Sequence, residues 1–179
     1  MLQKSSISKT AEIFFISPTT PHYLMDISRK ARLAHTSVKN NIDELIKQGI
    51  ITKSIEKKAS RKFPLYKANR ENRLFKKYKL LYNITYIFES GIIEFIEEKL
   101  SPKSIILFGS YQKGEDTETS DIDLFIECKQ EKLSLEKFEK ILNRKLQLHF
   151  NPNFKSYPKE LKNNIINGII LSGYLEGYT

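Results

Sequence analysis

The 179-residue sequence has a single cysteine and no apolar run approaching the length of a membrane span. Because Cys128 stands alone, an intramolecular disulfide and a cysteine-rich zinc site are both excluded, as is typical of proteins from a reducing compartment. A transmembrane helix needs about 20 mostly apolar residues, and the N-terminus lacks a charged segment followed by a hydrophobic one. We therefore expect a cytoplasmic protein without a membrane partner.

Charge is distributed unevenly along the chain. Residues 1–82 contain 18 Lys and Arg against 6 Asp and Glu, a net charge of +12. Residues 83–179 contain 12 against 15, a net charge of −3. A strongly basic segment favours contact with a polyanion, and this length allows two small cores. We predict a basic domain at 1–69, a helical linker at 70–100 and a second domain at 101–179.

An acidic pair opens an apolar run in the second domain, at Asp121-Ile122-Asp123. Alternate side chains of a strand share a face, so Asp121 and Asp123 point one way while Ile122 points into the core. Two adjacent carboxylates repel each other, and a hard cation between them removes that cost. Mg²⁺ is suited to the position because it takes one or two carboxylates, keeps waters and binds substrate phosphates. The alternative is an ordinary β-hairpin with a solvated acidic pair.

A glycine turn precedes the acidic pair by about ten polar residues. An earlier apolar run ends in Gly109-Ser110, which suggests strand, turn and strand. Gly109 has no Cβ, so a phosphate can approach its backbone closely. Ser110 offers a hydroxyl and an N–H as donors, and Lys113 can offset phosphate charge. Together the turn and the acidic pair predict a metal-dependent nucleotide site.

The combined pattern resembles that of the minimal nucleotidyltransferases, small members of the polymerase-β-like superfamily. The residues that carry the resemblance are 109–114, Gly-Ser-Tyr-Gln-Lys-Gly, and 120–124, Ser-Asp-Ile-Asp-Leu, with Lys113 where the family usually has Arg. The resemblance covers roughly residues 84–175. It implies a three-stranded mixed sheet backed by helices, Mg²⁺ bound by Asp121 and Asp123, and transfer of a nucleotidyl group from a nucleoside triphosphate, with ATP expected.

The same resemblance bears on the acceptor and the partner. The acceptor would be a protein or an RNA. Some relatives are antitoxins that modify a helical HEPN-type toxin, so a helical partner of that kind is implied by analogy. An aromatic stripe in the predicted linker is either core or a dimer seam, and we expect a homodimer.

One carboxylate of the family pattern is absent. Relatives usually carry a third on a later strand, which here is Lys145–Phe150, with Gln147 and His149 on the polar face. General-base catalysis contributes about 10²- to 10⁴-fold in rate. His149 is either a base or ligand or an edge residue without chemistry. Two functions therefore stay open: an active transferase, and a DNA-binding regulator whose degenerate domain senses nucleotide or mediates assembly.

The basic domain shows three helical apolar repeats and then two short strands. The third helix is predicted to start with Thr36 or Ser37 as N-cap and to end before Gly49. This order resembles the winged helix-turn-helix fold, in which the third helix enters the major groove and the hairpin tip touches phosphates. The predicted DNA contacts are Lys39, Asn40, Asn41, Lys57, Lys58, Arg61 and Lys62. The alternative is a docking module with solvated lysines. The expected class is thus α+β.

Overall fold

The computed structural model describes residues 4–154 and 158–176, and the remaining residues lie outside the description that follows. The helices are α1 (Ser6–Ile16), α2 (Leu24–Ala31), α3 (His35–Lys47), α4 (Arg73–Ser90), α5 (Ile92–Leu100), α6 (Gly109–Lys113), α7 (Glu136–Leu142) and α8 (Lys159–Ile166). The strands are β1 (His22–Tyr23), β2 (Ile51–Lys58), β3 (Arg61–Ala68), β4 (Ser104–Phe108), β5 (Ile122–Ile126), β6 (Leu146–Phe150) and β7 (Ile169–Gly173). The protein is therefore of mixed α+β class.

The chain divides into two compact units, Met1–Tyr82 and Asn83–Thr179, with the boundary inside α4. The first unit coincides with the segment of net charge +12. Residues 70–100, predicted as a linker, form α4 and α5 and supply apolar side chains to both cores. The domain boundaries predicted after residues 69 and 100 remain predictions. No helix among the described residues combines the length and the apolar character needed to cross a membrane.

The first unit is built from three helices and a small sheet. Phe14, Ile27 and Val38, one from each of α1, α2 and α3, are fully buried at its centre. The sheet has the strand order β1-β3-β2, and β2 and β3 form an antiparallel hairpin. The two-residue strand β1 is too short to leave a periodic signal in the sequence.

Helix α3 begins earlier than its predicted cap. Its N-cap is Ala34, which makes no side-chain hydrogen bond, and the first helical residue is His35. Arg32 ends α2 in the left-handed conformation, with φ of 53°, and Ala34 is already extended. The tight turn between α2 and α3 thus starts the helix directly, and Thr36 and Ser37 lie in its first turn.

The second unit contains a four-stranded mixed sheet in the order β6-β5-β4-β7. Strand β5 is parallel to β6 and antiparallel to β4, and β4 is antiparallel to β7. The alternation predicted for β5 is confirmed. Ile122, Leu124 and Ile126 pack in a cluster with residues of α4, α5 and α7, whereas Phe125 packs on the opposite face with Phe154.

The fourth strand, β7, is an addition to the three-stranded sheet that the resemblance implies. In the structure, helix α8 is followed by this edge strand. Gly168 makes the connection possible, because a Cβ there would lie 2.6 Å from Cγ2 of Ile106 and from the carbonyl oxygen of Leu107. The chain can therefore pass this close to β4 at residue 168 because glycine has no side chain.

Candidate functional site

The glycine turn lies directly against the acidic pair. Strand β4 ends at Phe108, which pairs with Asp123 across the β4–β5 ladder. The next residue, Gly109, has φ of +78°, a left-handed conformation that favours glycine. A Cβ at this position would lie 3.3 Å from Cγ of Asp123 and closer still to its Oδ2 atom. The pairing of β4 with β5 thus brings the glycine turn next to Asp123, although a polar loop separates the turn from the acidic pair in the sequence.

Helix α6 carries the other predicted phosphate ligands. Ser110 is partly exposed, Lys113 is exposed at the end of the helix, and Tyr111 between them is buried. Burial, and then the nearby charge of Asp116, raise the pKa of Tyr111 far above its usual range, so this phenol stays neutral. Gly114 ends the helix in the left-handed conformation. Tyr111 is therefore an anchor of the turn, while Ser110 and Lys113 remain accessible.

Two side chains of β6 contact the aspartates. Nε2 of Gln147 donates a hydrogen bond of 2.6 Å to Oδ2 of Asp121. Nε2 of His149 lies 3.4 Å from Oδ1 of Asp123, and its ring packs edge-on against Phe108 with centroids 5.1 Å apart. Asp121 and Asp123 are both partly exposed. Where the family pattern has a third carboxylate, the aspartates thus meet a neutral amide and an imidazole.

The donor set fits a magnesium ion that is completed by substrate. In residues 4–154 and 158–176 no group of three or more His, Cys, Asp and Glu side chains is arranged to enclose a metal ion. A cation at Asp121 and Asp123 would have two protein carboxylates, both of them partly exposed to solvent. Mg²⁺ is commonly held in this way, with waters and substrate phosphates as its remaining ligands.

A buried amide supports the turn, and the sequence analysis missed it. Nδ2 of Asn83, on α4, donates hydrogen bonds to the carbonyl oxygen of Tyr111 at 2.9 Å and to Oδ1 of Asp116 at 2.8 Å. Asn83 and Asp116 are each only 1% exposed. The available signal was spacing, because Asn83 lies four residues before the buried Ile87 and therefore on the inner side of the helix.

A cleft of about 630 Å³ opens beside Asp121. It lies between the loop that precedes β5 and helix α7. Glu139 on its wall accepts a hydrogen bond of 3.0 Å from the N–H of Leu146 and lies 3.2 Å from Nζ of Lys145. These contacts, led by the backbone hydrogen bond, hold the pKa of Glu139 below its usual range. The cleft therefore has fixed charges of both signs next to one of the two aspartates.

The predicted DNA contacts on α3 do not all lie on its exposed face. Lys39 and Asn40 are exposed. Asn41 is only 9% exposed; its Nδ2 donates to Oγ1 of Thr10 at 2.9 Å, and its Oδ1 accepts from Oγ of Ser6 at 3.4 Å. The amide of Asn41 joins α3 to α1, and it is not presented to a ligand.

The hairpin tip concentrates like charges. Lys57 lies opposite Lys62, and Lys58 lies opposite Arg61, in the last two pairs of the β2–β3 ladder. All four side chains are exposed. Like charges directly opposite each other destabilise a hairpin. The two like-charge pairs therefore lower the stability of the hairpin tip.

Lys58 differs from the other three tip residues because it has intramolecular partners. Its Nζ donates to the hydroxyl of Tyr23 at 2.6 Å and lies 3.2 Å from the carboxylate of Glu56. The hydroxyl of Tyr23 donates in turn to Glu56. These bonds raise the pKa of Lys58 and lower that of Glu56, with the hydrogen bond to Tyr23 the largest cause in each case.

Comparison with known proteins gives a family match for the second unit. Residues 89–171 match the nucleotidyltransferase domain family, and this stretch contains the glycine turn and both aspartates. A protein of Methanocaldococcus jannaschii, provisionally named a protein adenylyltransferase, is 46% identical over 61 residues, 30% of this chain and 61% of the relative. A second protein of that organism with the same provisional name is 56% identical over 32 residues, 18% of this chain and 33% of the relative.

The chain thus spans about three-fifths and one-third of the length of these curated relatives. Among solved structures, a possible transcriptional regulator from Methanosarcina mazei Go1 aligns with 54% of this chain and 79% of its own, at 12% identity and a TM-score of 0.37. That likeness is too low to assign a fold. The family match is thus to a nucleotidyltransferase domain, within residues 89–171.

Proposed function

We propose that the second unit is a Mg²⁺-dependent nucleotidyltransferase that moves a nucleoside monophosphate, with ATP as the expected donor, onto a hydroxyl of a protein or RNA acceptor. The observation that carries this proposal is the contact between the left-handed turn at Gly109 and the carboxylate of Asp123. A triphosphate bound at the turn would lie beside both aspartates. This is the arrangement that phosphoryl chemistry requires, since it depends mainly on positioning and on charge stabilisation.

Each residue of the site has a separate task in this proposal. Asp121 and Asp123 hold the metal ion, which when bound supplies positive charge to the phosphates and polarises the attacked phosphorus. Gly109 leaves room for the phosphate oxygens, Ser110 donates to them, and Lys113 offsets their charge.

The transfer itself is a single displacement at phosphorus. The acceptor oxygen forms a bond to the α-phosphorus, the bond from that atom to the bridging oxygen breaks, and pyrophosphate leaves. The hydroxyl proton passes to His149 or to solvent water, because β6 carries no Asp or Glu. We therefore expect slow turnover, since a general base contributes about 10²- to 10⁴-fold.

Labelled nucleotide tests the proposal directly. Purified protein is incubated with each α-labelled nucleoside triphosphate and Mg²⁺, alone and with candidate acceptors. We expect label to enter protein or RNA with the wild type, and none with Asp121→Ala plus Asp123→Ala. The matched control is Glu94→Ala plus Glu98→Ala, which removes two exposed carboxylates of α5 and should leave transfer unchanged. Equal labelling by the wild type and the aspartate variant would overturn the proposal.

A protein acceptor is the more specific form of the proposal. The names of the two relatives, which refer to protein adenylyltransferases, support it. A helical HEPN-type toxin is the partner to try first, by the family analogy alone. Label that enters such a partner at a tyrosine, and not total RNA, is the expected result. Label confined to RNA would exclude the protein acceptor.

We also propose that the first unit binds DNA as a winged helix-turn-helix domain. The order of α1, α2, α3 and the β2–β3 hairpin supports that fold, and the like-charge pairs at the hairpin tip support a polyanionic ligand. Lys39 and Asn40 are the exposed candidates on α3. A gel-shift titration at several salt concentrations is the test, and affinity that does not fall with salt would contradict it.

If the protein is a DNA-binding regulator with a degenerate second unit, the same assays should give a different result. Nucleotide binding and DNA binding without incorporation of label, even with acceptors present, would favour a degenerate domain that senses nucleotide. A homodimer is expected under either reading, and sedimentation equilibrium of the full chain measures it.

A further inference from the structure

The turn that carries Gly109 and Ser110 is held from outside. Helix α6 has only five residues, and a helix of one turn is not stable by itself in water. The carbonyl oxygen of Tyr111, in its last turn, accepts from the N–H of Gly114 at the long distance of 3.4 Å. The side chain of Asn83, on α4, adds a second and shorter bond, because its Nδ2 donates to the same oxygen at 2.9 Å.

The same amide also holds the loop that leads to Asp121. Asp116 lies between α6 and that aspartate, and its Oδ1 accepts from Nδ2 of Asn83 at 2.8 Å. Asp116 is 1% exposed, although it belongs to a connecting loop, where buried charge is uncommon. The NH₂ group of Asn83 thus bonds to two points of this segment. One is Tyr111 in the turn, and the other is Asp116 in the loop that leads to the acidic pair.

One atom of the Asn83 amide remains unsatisfied. Oδ1 of Asn83 is buried and has no hydrogen-bond partner among the described residues. An apolar side chain at this position would remove that unsatisfied atom, but it would also take away the donor that the carbonyl of Tyr111 and the carboxylate of Asp116 share. The amide orientation follows from its neighbours, since both the carbonyl of Tyr111 and the carboxylate of Asp116 require a donor.

We propose that Asn83 is a positioning residue for nucleotide binding, which sets the place of Ser110 and Asp121 without touching the substrate. The inference rests on the proposed function of the second unit. Displacement of phosphate ligands by about 1 Å can cost two orders of magnitude in rate. We therefore expect loss of Asn83 to weaken binding of Mg²⁺ and ATP about tenfold or more, in addition to a lower melting temperature because two acceptors lose a donor.

Asn83→Leu is the first variant, and Ser90→Ala is its matched control. Ser90 is a buried polar residue of the same helix whose hydroxyl bonds to the carbonyl oxygen of Ile87 in that helix. Titration calorimetry with Mg²⁺ and a non-hydrolysable ATP analogue measures affinity, and hydrogen exchange measures the turn independently of any nucleotide. We expect faster exchange at residues 109–116 in Asn83→Leu, with the β4–β5 ladder unchanged, and neither effect in Ser90→Ala.

A charge exchange between the two partners separates positioning from general stability. Asn83→Asp places a carboxylate against Asp116 and should weaken nucleotide binding further. Adding Asp116→Asn restores one amide–carboxylate bond in reversed order, so affinity should partly recover, whereas the contact to the carbonyl of Tyr111 stays lost. Failure of the double variant to recover affinity would overturn the role assigned to Asn83.

The outcomes are distinguishable. Wild-type protein that binds no nucleotide overturns the proposed function, and the hydrogen-exchange arm still decides whether Asn83 fixes the turn. Unchanged exchange at residues 109–116 in Asn83→Leu overturns the positioning role even if the wild type binds ATP. A lower melting temperature with unchanged affinity would make Asn83 a stability residue only, and would also overturn it.

Discussion

Gln147 donates a hydrogen bond of 2.6 Å to Asp121, from the neighbouring strand β6. An amide in this position satisfies one carboxylate oxygen of Asp121 without adding charge. A carboxylate there would repel Asp121 in the absence of metal. The neutral amide of Gln147 therefore offers no charged ligand to a cation, but it stabilises Asp121 when no cation is bound.

Replacing Gln147 by Glu should reverse both effects. We expect Gln147→Glu to lower the free energy of unfolding in EDTA by roughly 0.2–1 kcal/mol, because the introduced carboxylate and that of Asp121 would then repel each other at an exposed position. Mg²⁺ should raise the melting temperature of the variant more than that of the wild type. Calorimetry with and without Mg²⁺ measures both, with the exposed Gln130→Glu as control. An equal response to Mg²⁺ would show that no cation binds near Asp121.

Two glycines with almost the same backbone conformation allow a controlled test of the turn. Gly109 and Gly91 have φ of +78° and +76°, but only Gly109 lies against another group, the carboxylate of Asp123. We expect both Gly→Ala variants to lose about 1–2 kcal/mol of stability from backbone strain. Only Gly109→Ala should also lose nucleotide affinity, because its Cβ displaces Asp123. Urea unfolding and nucleotide titration measure the two effects, and equal affinities would contradict the close approach.

The charges at the hairpin tip should contribute unequally to DNA binding. Each phosphate contact adds about 0.9 to the slope of log affinity against log salt. We expect Lys57→Ala, Arg61→Ala and Lys62→Ala each to reduce the slope by about that amount. Lys58→Ala should reduce it by less than half as much, because its ammonium is bonded to Tyr23 and Glu56. Gel shifts at four salt concentrations measure the slopes, and four equal losses would contradict the structure.

Glu139 should make stability depend on pH. Its pKa is lowered in the folded protein, first by the N–H of Leu146, so its stabilising contribution is present above the pKa of an unfolded glutamate, about 4.3. It is lost as the pH falls through the lower folded value. Urea unfolding of the wild type and Glu139→Gln should therefore differ at pH 7 and converge by about pH 3. The exposed Glu136→Gln is the control and should show no such convergence.

Short-range patterns predicted the parts of the site that depend on them. The alternation of Ile122, Leu124 and Ile126 with Asp123 follows from strand geometry, and the end of the apolar run at Gly109-Ser110 indicates a turn there. These inferences need only neighbouring residues. Strand β5 and the turn before it could therefore be predicted without knowing the rest of the fold.

Long-range partners could not be predicted in this way. Asn83 binds Asp116, 33 residues away, and Asn41 binds Thr10, 31 residues away. Both asparagines lie on the inner faces of helices, where helical spacing shows that they point inward but not what they meet. Asn41 was predicted to share the polar face of α3 with Asn40, but successive helical residues differ by a rotation of 100°, which turns Asn41 inward.

Strand β7 covers one side of β4, whose five residues are all buried. Without β7, the N–H and C=O groups along that side would be open to pairing with any extended chain. Since β4 is entirely apolar apart from Ser104, such a strand would be a template for edge-to-edge aggregation. The last strand thus protects this side of β4 from unspecific pairing, and a chain cut before residue 169 would be expected to precipitate rather than merely lose activity.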